Sequence, residues 1–146
     1  MGRSRLVQEN SQMFAVARDF SFSYGHRLYR YQGKCQRLHG HNARVRIELG
    51  AHALNEQNMA LDFVQIKSTL GRWIDETLDH RVFLAQDDPL AEQLRAYDHE
   101  PILVQGNPTA EILAKMIYDY ARNCGFNVLS VRFWETDNCC ATYQGD

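Results

Sequence analysis

From Phe14 to His26 the chain alternates with a period of two. Phe14, Val16, Phe20, Phe22, Tyr24 and His26 share one parity, broken only by Arg18, while Ala15, Ala17, Asp19, Ser21 and Ser23 take the other. Successive side chains of a strand point to opposite faces, so this run predicts a strand with one face in a core and a histidine closing that face. A slip of one residue would turn the whole apolar set to water, which ties the register to the pattern. After a gap the pattern returns: His39, His41, Ala43, Val45, Ile47 and Leu49 lie opposite Asn42, Arg44, Arg46 and Glu48. Two half-buried strands, each with histidine at one end of its apolar face, demand a sheet covered on one side.

A third alternating run places Leu129, Val131, Phe133 and Glu135 on one face and Ser130, Arg132 and Trp134 on the other. Between the strands, LDFVQIKSTLGRWIDETL carries Phe63, Ile66, Leu70, Trp73 or Ile74, and Thr77 or Leu78 at helical spacing, with Asp62 as cap and Gln65 three residues on. PTAEILAKMIYDYARNC predicts a second helix, with Pro108 in its first turn, Gly125 past its end, and Leu113, Met116, Ile117 and Tyr120 as its buried stripe. A short helix is expected at DDPLAEQL and a brief strand at ILV, residues 102–104. This order predicts an α+β fold, an antiparallel four-stranded sheet with two main helices packed on one face, in a single domain over residues 1–146.

At 146 residues and 45% apolar content the chain can bury a core without disulfide or metal staples, and no run approaches the roughly 18 apolar residues of a membrane span. A net charge of −2 with both signs scattered gives no field for nucleic acid, so neither nucleic acid nor a membrane is an expected partner, although a local cationic pocket for a phosphorylated small molecule stays open. The first ten residues, MGRSRLVQEN, hold no apolar signal core and put Leu6 where myristoylation needs Ser or Thr. With four cysteines and no C-x-x-C pair, this reads as a reduced, cytoplasmic protein. Cys124, Cys139 and Cys140 read as structural, and His52 and His99 receive no role.

The segment HRLYRYQGKCQRLHGH, residues 26–41, gathers three of the six histidines. His39 and His41 stand on one face of a strand about 7 Å apart, and His26 ends the apolar face of its expected antiparallel neighbour, so the rings converge. Three neutral imidazoles supply the nitrogens zinc prefers and leave a fourth position for water or substrate. Cys35 supports two readings: the fourth ligand of a closed structural site, or a free thiol whose pKa is lowered by the metal and by Lys34 and Arg37 beside it. Spacing alone does not decide between them. Asp79 and His80 read as an acid/base pair or as a turn, and Thr109 and Glu111 as helix-start residues. Glu135, a carboxylate ending an apolar strand face, needs hydrogen-bond donors, which a heterocycle with ring N–H and amino groups would supply.

Taken in order, FSFSYGHRL, KCQRLHGHN, MALDFVQIK, LDHR, NPTAEILAKMIY and ETDNCCATYQG resemble the 6-pyruvoyltetrahydropterin and 6-carboxytetrahydropterin synthase family over nearly the whole chain. The resemblance implies the tunnelling fold, zinc on His26, His39 and His41, and Cys35 as a catalytic thiol outside the zinc shell. It further implies Asp79 and His80 as acid/base partners, Glu135 as pterin anchor, and Thr109 and Glu111 as pterin contacts. The implied reaction is that of a lyase on 7,8-dihydroneopterin triphosphate. The short CQRLH segment resembles bacterial 6-carboxytetrahydropterin synthases of the queuosine pathway, whose products are 6-carboxytetrahydropterin, acetaldehyde and triphosphate. The alternatives are a 6-pyruvoyltetrahydropterin synthase and a non-catalytic zinc- or pterin-binding protein. The family also implies a homohexamer, a dimer of trimers with active sites between subunits. Arg27, Lys34 and Arg37 are expected to meet the phosphates from their place beside the site.

Overall fold

The computed structural model describes residues 13–145, so the segment MGRSRLVQEN, read above for export and anchoring signals, lies outside the described residues. Strand β1 (Phe14–His26) pairs antiparallel with β2 (His39–Ala51) along its whole length, and the register sets His26 against His39 and Tyr24 against His41. The connection between them carries one 3₁₀ turn, Lys34–Gln36. Helix α1 begins at Phe63–Ile66 and continues through two wider π-wound stretches, Lys67–Gly71 and Ile74–Leu78. Asp62 caps it, accepting from the Val64 N–H at 2.8 Å. Then follow β3 (Arg81–Ala85), α2 (Leu90–Ala96), β4 (Ile102–Val104), α3 (Ala110–Asn123), β5 (Val128–Thr136) and β6 (Cys139–Tyr143).

The α+β class holds, but the four-stranded antiparallel sheet is corrected: six strands run in the order β4-β3-β1-β2-β5-β6, and β3 is parallel to both β1 and β4. The two added strands escaped the pattern for physical reasons. In β3, Phe83, Leu84 and Ala85 are all buried, because a short parallel strand covered on both faces shows no alternation. Strand β6 is an edge strand with no fully buried residue, so nothing enforces a period on it. In β5 the parity also shifts. A register irregularity between Glu48 and Leu49 of β2 pairs Leu49 with Val128, which buries Val128 with Val131 and Phe133 and leaves Leu129 partly exposed.

Helices α1 and α3 cover one face of the sheet. Val45, Ile47, Val131 and Phe133 of the strands meet Ile66 and Leu70 of α1 and Leu113 and Ile117 of α3, all at or near full burial. Trp73 of α1 stacks on Tyr120 of α3, with ring centroids 3.7 Å apart. Among the described residues no helix is long and apolar enough to cross a membrane. The paired strands thus present their histidine ends together, beside the start of α3.

Candidate functional site

The β1/β2 register brings the three imidazoles together, with ring centroids 4.6, 5.1 and 5.0 Å apart. His26 is 2% exposed, and its Nδ1 lies 2.8 Å from the Pro108 carbonyl just before α3. His39 Nδ1 lies 2.6 Å from the Arg37 carbonyl. A carbonyl only accepts, so each Nδ1 carries the proton and each Nε2 keeps a lone pair. These two Nε2 atoms face each other at 3.1 Å, an unfavourable meeting unless something electron-poor lies between. The Nε2 of His41 is buried and makes no hydrogen bond. The ligand atoms of the three residues lie within 4.8 Å of one another. Burial pushes the His26 and His41 imidazoles below their ordinary pKa, keeping them neutral, as metal ligands must be. The cluster fits a metal ion on its donor chemistry and on its orphaned nitrogen.

Tyr24 lies beneath, edge-on to His26, and donates a long hydrogen bond of 3.5 Å to Glu135 Oε1. Burial, and then the Glu135 charge, push the Tyr24 phenol far above its usual pKa, so it acts as a donor only. Glu135 sits where the β5/β6 register shifts between Trp134 and Thr136. Its Oε1 reaches 3.2 Å from His26 Nε2 and 3.4 Å from His41 Nε2.

A cavity of about 220 Å³ opens on this cluster, with His26, Cys35, Thr109, Glu111 and Glu135 in its wall. Cys35 is exposed on its 3₁₀ turn, and its carbonyl accepts from the Leu28 N–H at 2.8 Å. Thr109 caps α3 by accepting from the Ile112 N–H at 3.4 Å, so its capping and its place in the cavity wall coexist. Cys139 and Cys140, read from the sequence as structural, also line this cavity. The signal for them was their position three and four residues beyond Thr136, on the strand that turns back past Glu135.

Asp79 and His80 lie outside this cavity wall. The Ser23 N–H donates to Asp79 Oδ1 at 2.9 Å, and His80 Nδ1 stands 2.9 Å from Asp79 Oδ2. The Ser23 hydrogen bond, followed by His80, holds the Asp79 carboxyl below its usual range. The His80 backbone is left-handed (φ 62°), and its side chain is 80% exposed on a different cavity shared with Arg81, Leu94 and His99. Arg27, expected at the phosphates, is engaged instead: its Nε donates to Asp88 Oδ2 at 2.7 Å and its Nη2 to Asp88 Oδ1. Lys34 and Arg37 are exposed on either side of Cys35, outside the cavity wall.

Residues 15–146 match the family model described as 6-pyruvoyl tetrahydropterin synthase. The chain is 35% identical over 136 residues to the 6-carboxy-5,6,7,8-tetrahydropterin synthase of Rickettsia conorii, covering 87% of this chain and 97% of that one. An uncharacterized protein from Wolinella succinogenes superposes with a TM-score of 0.74 at 25% identity, over 93% of this chain and all of the other. The 6-pyruvoyl tetrahydropterin synthase of Caenorhabditis elegans does so with a TM-score of 0.70 at 22% identity, over 92% and 97% of the two chains, a likeness of fold.

Proposed function

The chain belongs to the 6-pyruvoyl tetrahydropterin synthase family, and on that premise we propose that it is a zinc-dependent lyase of the carboxy type. It converts 7,8-dihydroneopterin triphosphate and water to 6-carboxytetrahydropterin, acetaldehyde and triphosphate, in the cytoplasm and as a queuosine precursor step. The supporting observation is the convergence of three imidazole nitrogens beside a cavity that also holds a free thiol and a carboxylate.

In this reading the Nε2 atoms of His26, His39 and His41 hold zinc, which when bound supplies Lewis acidity to the substrate's side-chain hydroxyls. Glu135 accepts hydrogen bonds from the pterin ring N–H and amino groups, and Thr109 and Glu111 meet the ring at the start of α3. Cys35, on an exposed turn at the cavity, takes and returns a side-chain proton. Asp79, held ionised by the Ser23 N–H, fixes the proton of His80 on Nδ1 and leaves Nε2 for a second transfer. Because His80 lines another cavity of its own subunit, it serves the Cys35 cavity of a neighbour, within a hexamer built of two trimers. Lys34 and Arg37 remain the triphosphate ligands; Arg27 is withdrawn, since Asp88 occupies its guanidinium.

Incubation of the zinc-loaded protein with dihydroneopterin triphosphate, with aldehyde trapping and mass spectrometry of the pterin, tests the reaction. Acetaldehyde and a 6-carboxy product are expected. Accumulation of 6-pyruvoyltetrahydropterin without acetaldehyde would move the protein to the pyruvoyl branch, and no turnover would leave a binding protein.

A further inference from the structure

The connection that carries Cys35, residues 27–38, has no fully buried apolar residue to hold it: Leu28 and Tyr29 are half-buried, and Tyr31 and Leu38 are exposed. A segment of that kind opens readily unless polar contacts fix it. Four consecutive residues leaving β1 are each tied. His26 Nδ1 donates to the Pro108 carbonyl at 2.8 Å. Arg27 forks onto both oxygens of Asp88, which is 3% exposed and also accepts from the Leu90 N–H at 2.9 Å. The Leu28 N–H donates to the Cys35 carbonyl at 2.8 Å. The Tyr29 N–H donates to Asn107 Oδ1 at 2.8 Å, and Asn107 Nδ2 donates back to the Tyr29 carbonyl at 3.1 Å.

The last pair is specific to an amide. Asn107 offers one acceptor and one donor to the two backbone groups of a single residue, as a neighbouring strand would, and only an amide side chain holds a carbonyl oxygen and an NH₂ side by side in one plane for that purpose. Asn107 also immediately precedes Pro108, whose carbonyl orients His26, and Thr109, which caps α3. One turn therefore fixes a histidine ring, the helix start and the thiol's connection.

We infer that Asn107 and the Arg27–Asp88 pair are positioning residues that hold the Cys35 connection in register with the histidine cluster. The inference rests on the reading of Cys35 as the reactive thiol. Burial pushes the Asp88 carboxyl up, but the Arg27 hydrogen bond and the Leu90 N–H outweigh it and keep the group ionised, so this tie persists at neutral pH. Such a pair adds little to stability beyond what an apolar pair would give, and what it supplies here is the forked geometry of Arg27 on both Asp88 oxygens.

The test compares wild type with Asn107→Ala by hydrogen exchange read by mass spectrometry, metal content and steady-state kinetics. The expected result is faster exchange confined to residues 28–38, retained metal, and a kcat lower by on the order of 100-fold with KM little changed, as for a displaced catalytic group. Asn107→Asp keeps the acceptor for Tyr29 and loses the donor, so it should fall between the two. If Asn107→Ala does not fold, Asn107→Asp and Arg27→Lys, whose point charge cannot fork, carry the same comparison. Unchanged exchange over 28–38, or faster exchange with unchanged kcat, overturns the inference. Turnover that survives Cys35→Ala would instead overturn the thiol's role, while the exchange data still judge the clamp.

Discussion

Each of His26 and His39 spends its Nδ1 on a backbone carbonyl, so the lone pairs that remain point at each other, whereas Cys35 is exposed on a turn and free of any disulfide. That difference predicts different fates on mutation. Cys35→Ala should keep about one zinc per chain while turnover falls by orders of magnitude, whereas His39→Ala should lose metal as well, both read by elemental analysis and rate. Loss of zinc from Cys35→Ala would favour the closed four-ligand site. Glu135 carries a second expectation. Its neighbours are the Tyr24 hydroxyl and two imidazoles, and none of these supplies the pair of strong donors a carboxylate prefers. Glu135→Gln replaces an acceptor oxygen with a donor amide, so pterin affinity should fall by about 2 kcal/mol while the melting temperature moves little. Unchanged pterin binding by calorimetry would remove Glu135 from the ring-recognition role.

The histidine cluster depends on how closely β1 and β2 approach. Gly40 stands between His39 and His41 and pairs with Gly25, and a Cβ built on it would lie 3.0 Å from the Tyr24 carbonyl oxygen. Backbone cannot yield as a flexible side chain can. Gly40→Val should therefore cost about 1–3 kcal/mol through overpacking and spread the imidazoles, so that a chelator strips the metal faster. A variant with unchanged melting temperature and metal retention would show that the close approach does not set the site. This is also the scale at which the sequence was most and least readable. β1 and β2 were legible, along with the convergence of His26, His39 and His41, because each strand has one wet and one dry face. Strand β3 was not, because Phe83 to Ala85 are dry on both faces, and β5 misled because the bulge reverses its parity. Arg27 could not be read locally either, since its partner Asp88 lies 61 residues along the chain.

At the scale of the whole molecule, three carboxyls among the described residues are held below their usual range from separate parts of the fold: Asp19 by Arg46, Asp79 by the Ser23 N–H, and Asp88 by Arg27 against the opposing effect of burial. A carboxyl with a lowered folded pKa stabilises the fold above its unfolded value, about 3.9, and loses that contribution as pH falls through the folded value. Urea midpoints should decline below about pH 6.5, where the unfolded chain protonates the histidines whose folded pKa burial lowers, and drop further below about pH 4 as these carboxyls titrate; a flat profile from pH 4 to pH 3 would contradict the carboxyl assignments. Assembly is the larger question. The cavity with Cys35 and the cavity with His80 are separate in one chain, and among the described residues the sheet ends in two short edge strands, β4 and β6, the kind of edge that another chain can extend. If sites form between subunits, each needs Cys35 from one chain and His80 from the next. Cys35→Ala and His80→Ala should then be inactive alone, yet regain activity when co-expressed with different tags and purified through both. Random mixing of equal amounts leaves about a quarter of the interfaces with both native residues. A site contained within one chain could never regain them, since every chain in the mixture lacks one group. Mixed oligomers with no more activity than either parent would therefore place Cys35 and His80 in unconnected roles and end the intersubunit reading.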